Sequence, residues 1–255
     1  MATIFIWNNN VWGRGHHYPG HVSINITDEW SRSYAKNNTD NYVSWWPHAN
    51  SSLASGSGHK MAEPKANIFT DLVAEKYAPD HIIRLTSTIQ QKENMKKAWT
   101  AIRTKEVKTQ RIQMRGVGGV PVTYADVPVG GTGPSYRYYK KNCSVIVQKV
   151  LKAGGYNWGN SNLFHMKSTI WTPLNIKRLA MSYKGAKTIS WEHFVSELIN
   201  AGSINKAQKV SLDWYLKRAL KHGSSGATPR NFSGGLKASY SNDRIIEAIK
   251  KIDNT

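Results

Sequence analysis

Cysteine is nearly absent from this chain: Cys143 is the only one in 255 residues. No internal disulfide can form, so a stapled framework is excluded, and a lone thiol does not by itself fix the redox compartment. A chain of this length needs no staple and can bury its own core, as one large domain or a domain with an appendage. Long apolar runs are missing too, and none approaches the length needed to cross a bilayer. The start, Met1-Ala2-Thr3-Ile4-Phe5-Ile6-Trp7, lacks the basic end and extended apolar stretch of a cleaved leader. Export is therefore expected to use a route that needs none.

Acidic residues are scarce, with 16 Asp and Glu against 35 Lys and Arg, for a net charge of +19. Such a field attracts polyanions, whether nucleic acid, anionic lipid or an acidic cell envelope, without choosing among them. The basic residues are scattered, with small clusters at Lys96-Lys97, Lys140-Lys141 and Lys250-Lys251. There is no arginine-rich arm and no zinc-ligand spacing. The pattern reads as a solvated basic surface rather than a dedicated nucleic-acid interface. Neither a metal nor an organic cofactor is expected.

What is present first is β structure. Residues 4–7 form a short apolar strand, followed by a loop over 8–20 rich in Asn, Gly and His. Residues 21–26 alternate cleanly, with Val22, Ile24 and Ile26 on one side and His21, Ser23 and Asn25 on the other. Residues 41–46 form another strand, stopped by Pro47. The Ser- and Gly-rich stretch 49–64 reads as an exposed loop, and 80–86 as a further strand. A helix is predicted over about 87–103, with Ile89, Met95, Ala98, Trp99 and Ile102 as its apolar side, and 116–133 reads as loop.

Beyond Gly155 the pattern turns helical, with helices predicted near 174–183, 191–200, 204–220 and 242–252. Ser241 would cap the last of these, and Gly223-Ser224-Ser225-Gly226 reads as a flexible connection. The expected division is a core over 1–160 and a helical extension or cover over 161–255, a second domain or part of the first.

The segment around Cys143 carries the chemistry. After Asn142 the spacing of Ile146, Val147, Val150 and Leu151 predicts a helix that stops at Gly154-Gly155. Cys143 falls in its first turn, where unpaired backbone N–H groups and the positive end of the helix dipole favour a negatively charged sulfur. The competing reading is a small buried hydrophobe. A thiolate nucleophile needs a base and a group to orient that base. Of nine histidines, His21 is the best placed, because it opens a strand and points away from Val22 and Ile24. His16, His17, His48 and His59 fall in loop-like stretches and read as solvated.

The pieces Gly20-His21-Val22-Ser23, Tyr42-Val43-Ser44-Trp45-Trp46-Pro47, Asn142-Cys143-Ser144 and Ala153-Gly154-Gly155 occur in an order that resembles the circularly permuted, NlpC-type papain-like cysteine hydrolases. The likeness covers about residues 15–155 and is nearest to bacterial effector members, including type VI toxins and the Rho-inactivation-domain group of fatty acyltransferases. It implies an α+β, permuted papain-like fold, with an antiparallel sheet packed on the cysteine helix and a helical C-terminal extension. It also implies Cys143 as nucleophile, His21 as base and Asp71 as the third member, matching the aspartate of the effector subgroup. Asp71 alone is equally a helix-start acid. Ser44 is the alternative third member, at the position where relatives of the lecithin-retinol-acyltransferase type carry a second histidine, and Glu75 stands behind it.

The expected function is cysteine-nucleophile hydrolysis, as an amidase or endopeptidase and a secreted antibacterial effector acting on peptidoglycan peptides in a target-cell periplasm. Such a toxin would have an immunity protein as partner. The alternative is an acyltransferase that modifies lysines of a host-cell protein at an anionic membrane surface. A non-catalytic basic binding module is the third reading.

Overall fold

The computed structural model describes residues 1–8, 11–12, 16–17, 20–27, 40–47, 59–65, 67–75, 78–105, 109–114, 123–128, 135–137, 141–157 and 171–202. The first half of the chain supplies β1 (Ala2–Trp7), the short strands β2 (Val11–Trp12) and β3 (His16–His17), β4 (His21–Asn25), β5 (Tyr42–Val43), β6 (Trp45–Pro47), β7 (His59–Pro64), α1 (Ile68–Glu75), β8 (His81–Leu85) and α2 (Ile89–Arg103). The second half supplies β9 (Thr109–Met114), β10 (Thr123–Pro128), β11 (Ser135–Arg137), α3 (Cys143–Ala153), α4 (Pro173–Met181), β12 (Lys187–Ile189) and α5 (Trp191–Asn200).

The fold is α+β. Its centre is a five-stranded sheet in the order β12-β8-β1-β4-β5, and each neighbouring pair is antiparallel. The register sets Trp7 opposite His21 and Ile6 opposite both Val22 and His81, so the start of β4 and the start of β8 lie at one end of the sheet. Side chains alternate across a strand, and both faces of this sheet are covered. One face carries Ile4, Ile6, Val22, Ile24, Val43 and Ile83 against α2, α3 and α4, through Met95, Trp99, Ile146, Val150 and Ile176. The other carries Phe5, Trp7, Tyr42 and Ile82 against α1 and α5, through Ile68, Leu72, Phe194 and Leu198. All five residues of β4 are consequently buried. The face expected to be merely polar is the floor of a second core.

Local chemistry fixes the helices. Thr88 caps α2 in a reciprocal capping box with Gln91, one residue later than the predicted start. Thr172 caps α4, with Pro173 at its first position, and Ser190 caps α5. α3 begins and ends where its pattern predicted, with Asn142 as N-cap. Residues 171–202 belong to the same two layers: β12 extends the sheet beside β8, while α4 and α5 cover opposite faces.

Several expected loops contain strands. Residues 59–64 are β7, hydrogen-bonded between β6 and β11, and 123–128 are β10, paired with β9. His16 and His17 lie in β3, paired with β2, and His59 in β7. His48, the connection at 223–226 and the helices expected at 204–220 and 242–252 fall outside the described residues.

Candidate active site

His21 is the first residue of β4 and follows Gly20, whose φ of 67° lies in the left-handed region. A side chain there would strain the backbone, so glycine is what lets the chain turn directly into the strand. The His21 ring packs against Trp46, with centroids 4.4 Å apart, and against Trp7 at 5.5 Å. Cys143 opens α3, which packs on β4, and it lies close enough to the His21 ring to act on its charge. Asp71 comes from the other side, on α1, with its Oδ2 3.4 Å from His21 Nε2. The three residues are 4, 3 and 0 % exposed in the order Cys143, His21, Asp71. The structure thus brings all three sequence candidates into one buried array.

Ser44 completes this array. Its hydroxyl donates to Asp71 Oδ1 at 2.7 Å, and its oxygen lies 3.3 Å from His21 Nε2. The two third-member candidates are therefore linked, with Ser44 bridging the histidine and the aspartate. Two further residues, not singled out from the sequence, hold the carboxylate. Tyr42 donates its hydroxyl to Asp71 Oδ2 at 2.5 Å, and the Trp46 indole N–H donates to Oδ1 at 2.8 Å. Ser23 on β4 lies 2.7 Å from the Tyr42 hydroxyl, whose own hydrogen is given to Asp71. Tyr42, Ser44 and Trp46 alternate along one stretch, so their side chains share a face.

The electrostatics follow from this cage. Burial opposes a charged imidazole, but the Asp71 carboxylate and then Cys143 outweigh it, and the His21 pKa stands well above its usual value. Burial likewise opposes the Asp71 carboxylate. His21, Ser44 and Tyr42 overcome it and hold that pKa below the usual value. The Tyr42 phenol is pushed well above its usual range by burial and by the adjacent carboxylate, and so stays a donor. Asp71 is thus a buried anion with several donors and a cationic neighbour, which is how a buried carboxylate remains charged.

At the start of α3 the Asn142 side chain accepts from the N–H of Val145 at 2.9 Å and donates to the carbonyl of Trp171 at 3.2 Å. This ties the cysteine turn to the segment leading into α4. Among the described residues no cluster of His, Cys, Asp and Glu could hold a metal ion, and no helix is long and apolar enough to cross a membrane.

A family model described as the IcsB middle domain, an effector-associated domain, matches residues 1–117. The matched stretch contains His21, Ser44 and Asp71 and stops short of Cys143. No match to a curated protein and none to a solved structure accompanies it.

Proposed function

We propose that the chain is a cysteine-nucleophile acyl-transfer enzyme of the papain-like type that acts as a bacterial effector, and first of all a hydrolase of amide bonds in peptidoglycan peptides. The observation that carries this reading is the single array in which Cys143, His21 and Asp71 meet from α3, β4 and α1. The thiol proton rests on His21, as the imidazolium beside Asp71, when the sulfur attacks the substrate carbonyl to give a tetrahedral oxyanion. Backbone N–H groups at the start of α3, including that of Cys143, lie where an oxyanion can be stabilised. His21 returns the proton to the departing amine as the C–N bond breaks, leaving a thioester on Cys143. Water then attacks the thioester, its proton passing through His21 back to sulfur. Asp71, steadied by Tyr42, Ser44 and Trp46, keeps the ring oriented and its charge balanced.

A second reading keeps every step but the last and replaces water with the amine of a host-protein lysine. The observation in its favour is the setting of the nucleophile. Cys143 is buried and belongs to the large apolar cluster on the helix-covered face of the sheet, a setting that suits an apolar acyl group and shields a thioester from water. The positive net charge of +19 would draw such an enzyme to an anionic membrane.

The two readings separate on products. Incubation with peptidoglycan sacculi should release cleaved stem peptides, seen by mass spectrometry, and Cys143→Ala should lower the rate on the order of 10^4-fold or more. No release, with an acyl mass appearing on lysines of a target-cell protein, selects the amine acceptor. Toxicity that survives both Cys143→Ala and His21→Ala, with neither product formed, would reject both and leave a basic binding module.

A further inference from the structure

The proposed chemistry makes no use of Glu75. This residue ends α1 one helical turn beyond Asp71, so the two carboxyls lie on the same side of the helix. Glu75 is 8 % exposed, and its Oε2 is buried with no hydrogen-bond partner among the described residues. Asp71, by contrast, is surrounded by donors from Tyr42, Ser44 and Trp46. An ionised carboxylate with an unpartnered buried oxygen is unfavourable, whereas a neutral carboxyl there is tolerated.

Among the described residues the charges that act on Glu75 are His21 of β4, Asp71 of α1 itself and Asp80 in the turn before β8. α5, packed on the same face of the sheet, directs its ionisable residues elsewhere. Glu192 is exposed, and Glu197 pairs with Arg84 and His193. β5 offers only the Tyr42 phenol, which is given to Asp71.

We infer that Glu75 is a positioning residue, a second acid behind the His21–Asp71 pair whose ionisation sets the charge carried by His21 and hence the pH range over which the site works. This rests on the reading of Cys143, His21 and Asp71 as the reactive array. Burial raises the Glu75 carboxyl to about 7, with Asp71 and Asp80 adding to the rise and His21 opposing it. Below that pH Glu75 is neutral and His21 answers to Asp71 and Cys143. Above it a second anion appears one helical turn from Asp71 and holds the imidazolium to higher pH, because the attraction that favours ionised Glu75 equally favours protonated His21.

The test follows the His21 ring signal by NMR across pH in the full chain, beside thermal unfolding over the same range. Glu75→Gln keeps the shape and removes the charge. It should lower the His21 midpoint, and its gain in Tm over the parent should be absent near pH 4 and grow between about 4.5 and 7. A purely structural Glu75 predicts the opposite: an unchanged His21 curve and a Tm difference that is the same at every pH. That result would overturn the inference.

A second variant, Asp80→Asn, removes an exposed charge that raises Glu75 and serves if Glu75→Gln does not fold. It should move the near-neutral transition to lower pH, and an unmoved transition counts against the inference equally. None of these measurements needs turnover. A chain without activity whose His21 curve still responds to Glu75 would fail the proposed function while leaving this coupling intact.

Discussion

Asp71 stays charged although fully buried because Tyr42, Ser44 and Trp46 aim donors at it and His21 supplies the opposite charge. Asp71→Asn keeps the size but turns one oxygen into a donor facing donors. It should reduce turnover by roughly 10^4-fold, as loss of an orienting aspartate does in related triads. It should also cost about 3–5 kcal/mol of stability by leaving a buried histidine without its counter-charge, which denaturant titration would show.

The same pair shapes stability against pH. Asp71 is depressed, so its contribution is present above the ordinary carboxylate range and is lost as pH falls through its folded value. His21 is raised, so its contribution is full below about 6.5 and is lost as pH rises through its folded value. Glu75, raised to about 7, removes stability as pH climbs from its ordinary value toward 7. A Tm maximum on the acid side of neutral is the expected outcome, and a maximum above pH 8 would contradict it. The places of Cys143 at a helix start and of His21 at the head of a strand were legible in the sequence, one from helix spacing and one from strand alternation, while their pairing came from the family resemblance. Tyr42 and Trp46 were not, because a phenol and an indole on a strand read as core, and only the arrival of a carboxylate from α1 makes them donors.

At the scale of the element, α3 is held at both ends. Asn142 caps it and ties it to Trp171, so Asn142→Ala should cost about 1 kcal/mol in unfolding free energy. The same change should lower turnover more than that small loss of stability suggests, since it loosens the turn that carries the thiol. At the other end a Cβ on Gly154 would sit 2.7 Å from Met95 Cγ and 3.3 Å from the Leu151 carbonyl oxygen. Met95 is fully buried between α2 and the sheet. Gly154→Ala is therefore expected to destabilise by about 1–3 kcal/mol, read as a lower Tm.

Elements with their own pattern or cap were legible: β1, β4, β8, α2, α3, α4 and α5. β7, His59-Lys60-Met61-Ala62-Glu63-Pro64, was not. It carries no β-branched residue and ends in proline, so its strand state comes from the ladders on either side rather than from propensity. β10 follows a glycine-rich stretch and likewise exists by pairing with β9. β12 is three residues long and takes its place from β8.

At the scale of the whole molecule, the matched stretch 1–117 and the folded unit do not coincide. A fragment ending at 117 would retain β1, β4, β5 and β8 but lose α3, α4, β12 and α5, exposing Ile4, Ile6, Val22 and Phe5. It should show poor NMR dispersion and rapid proteolysis; a cooperatively folded fragment would show that the later elements are dispensable. The net charge of +19 acts over the whole surface. Binding to sacculi or anionic vesicles, followed by co-sedimentation, should weaken steeply as salt passes about 0.15 M, where the Debye length is about 8 Å. Retention that ignores salt would point to apolar contacts instead.

The order β12-β8-β1-β4-β5 puts the earliest of its strands in the middle of the sheet. β1 cannot rest on a local hairpin partner, since both its neighbours come later and the edge strand is supplied by residues 187–189. Closing such loops before any contact rewards them makes folding slow. A chain emerging during synthesis would carry His21 and Asp71 long before α3 brings the sulfur to them. The three residues thus stay apart, and their array unassembled, until the second half of the chain has folded onto the first.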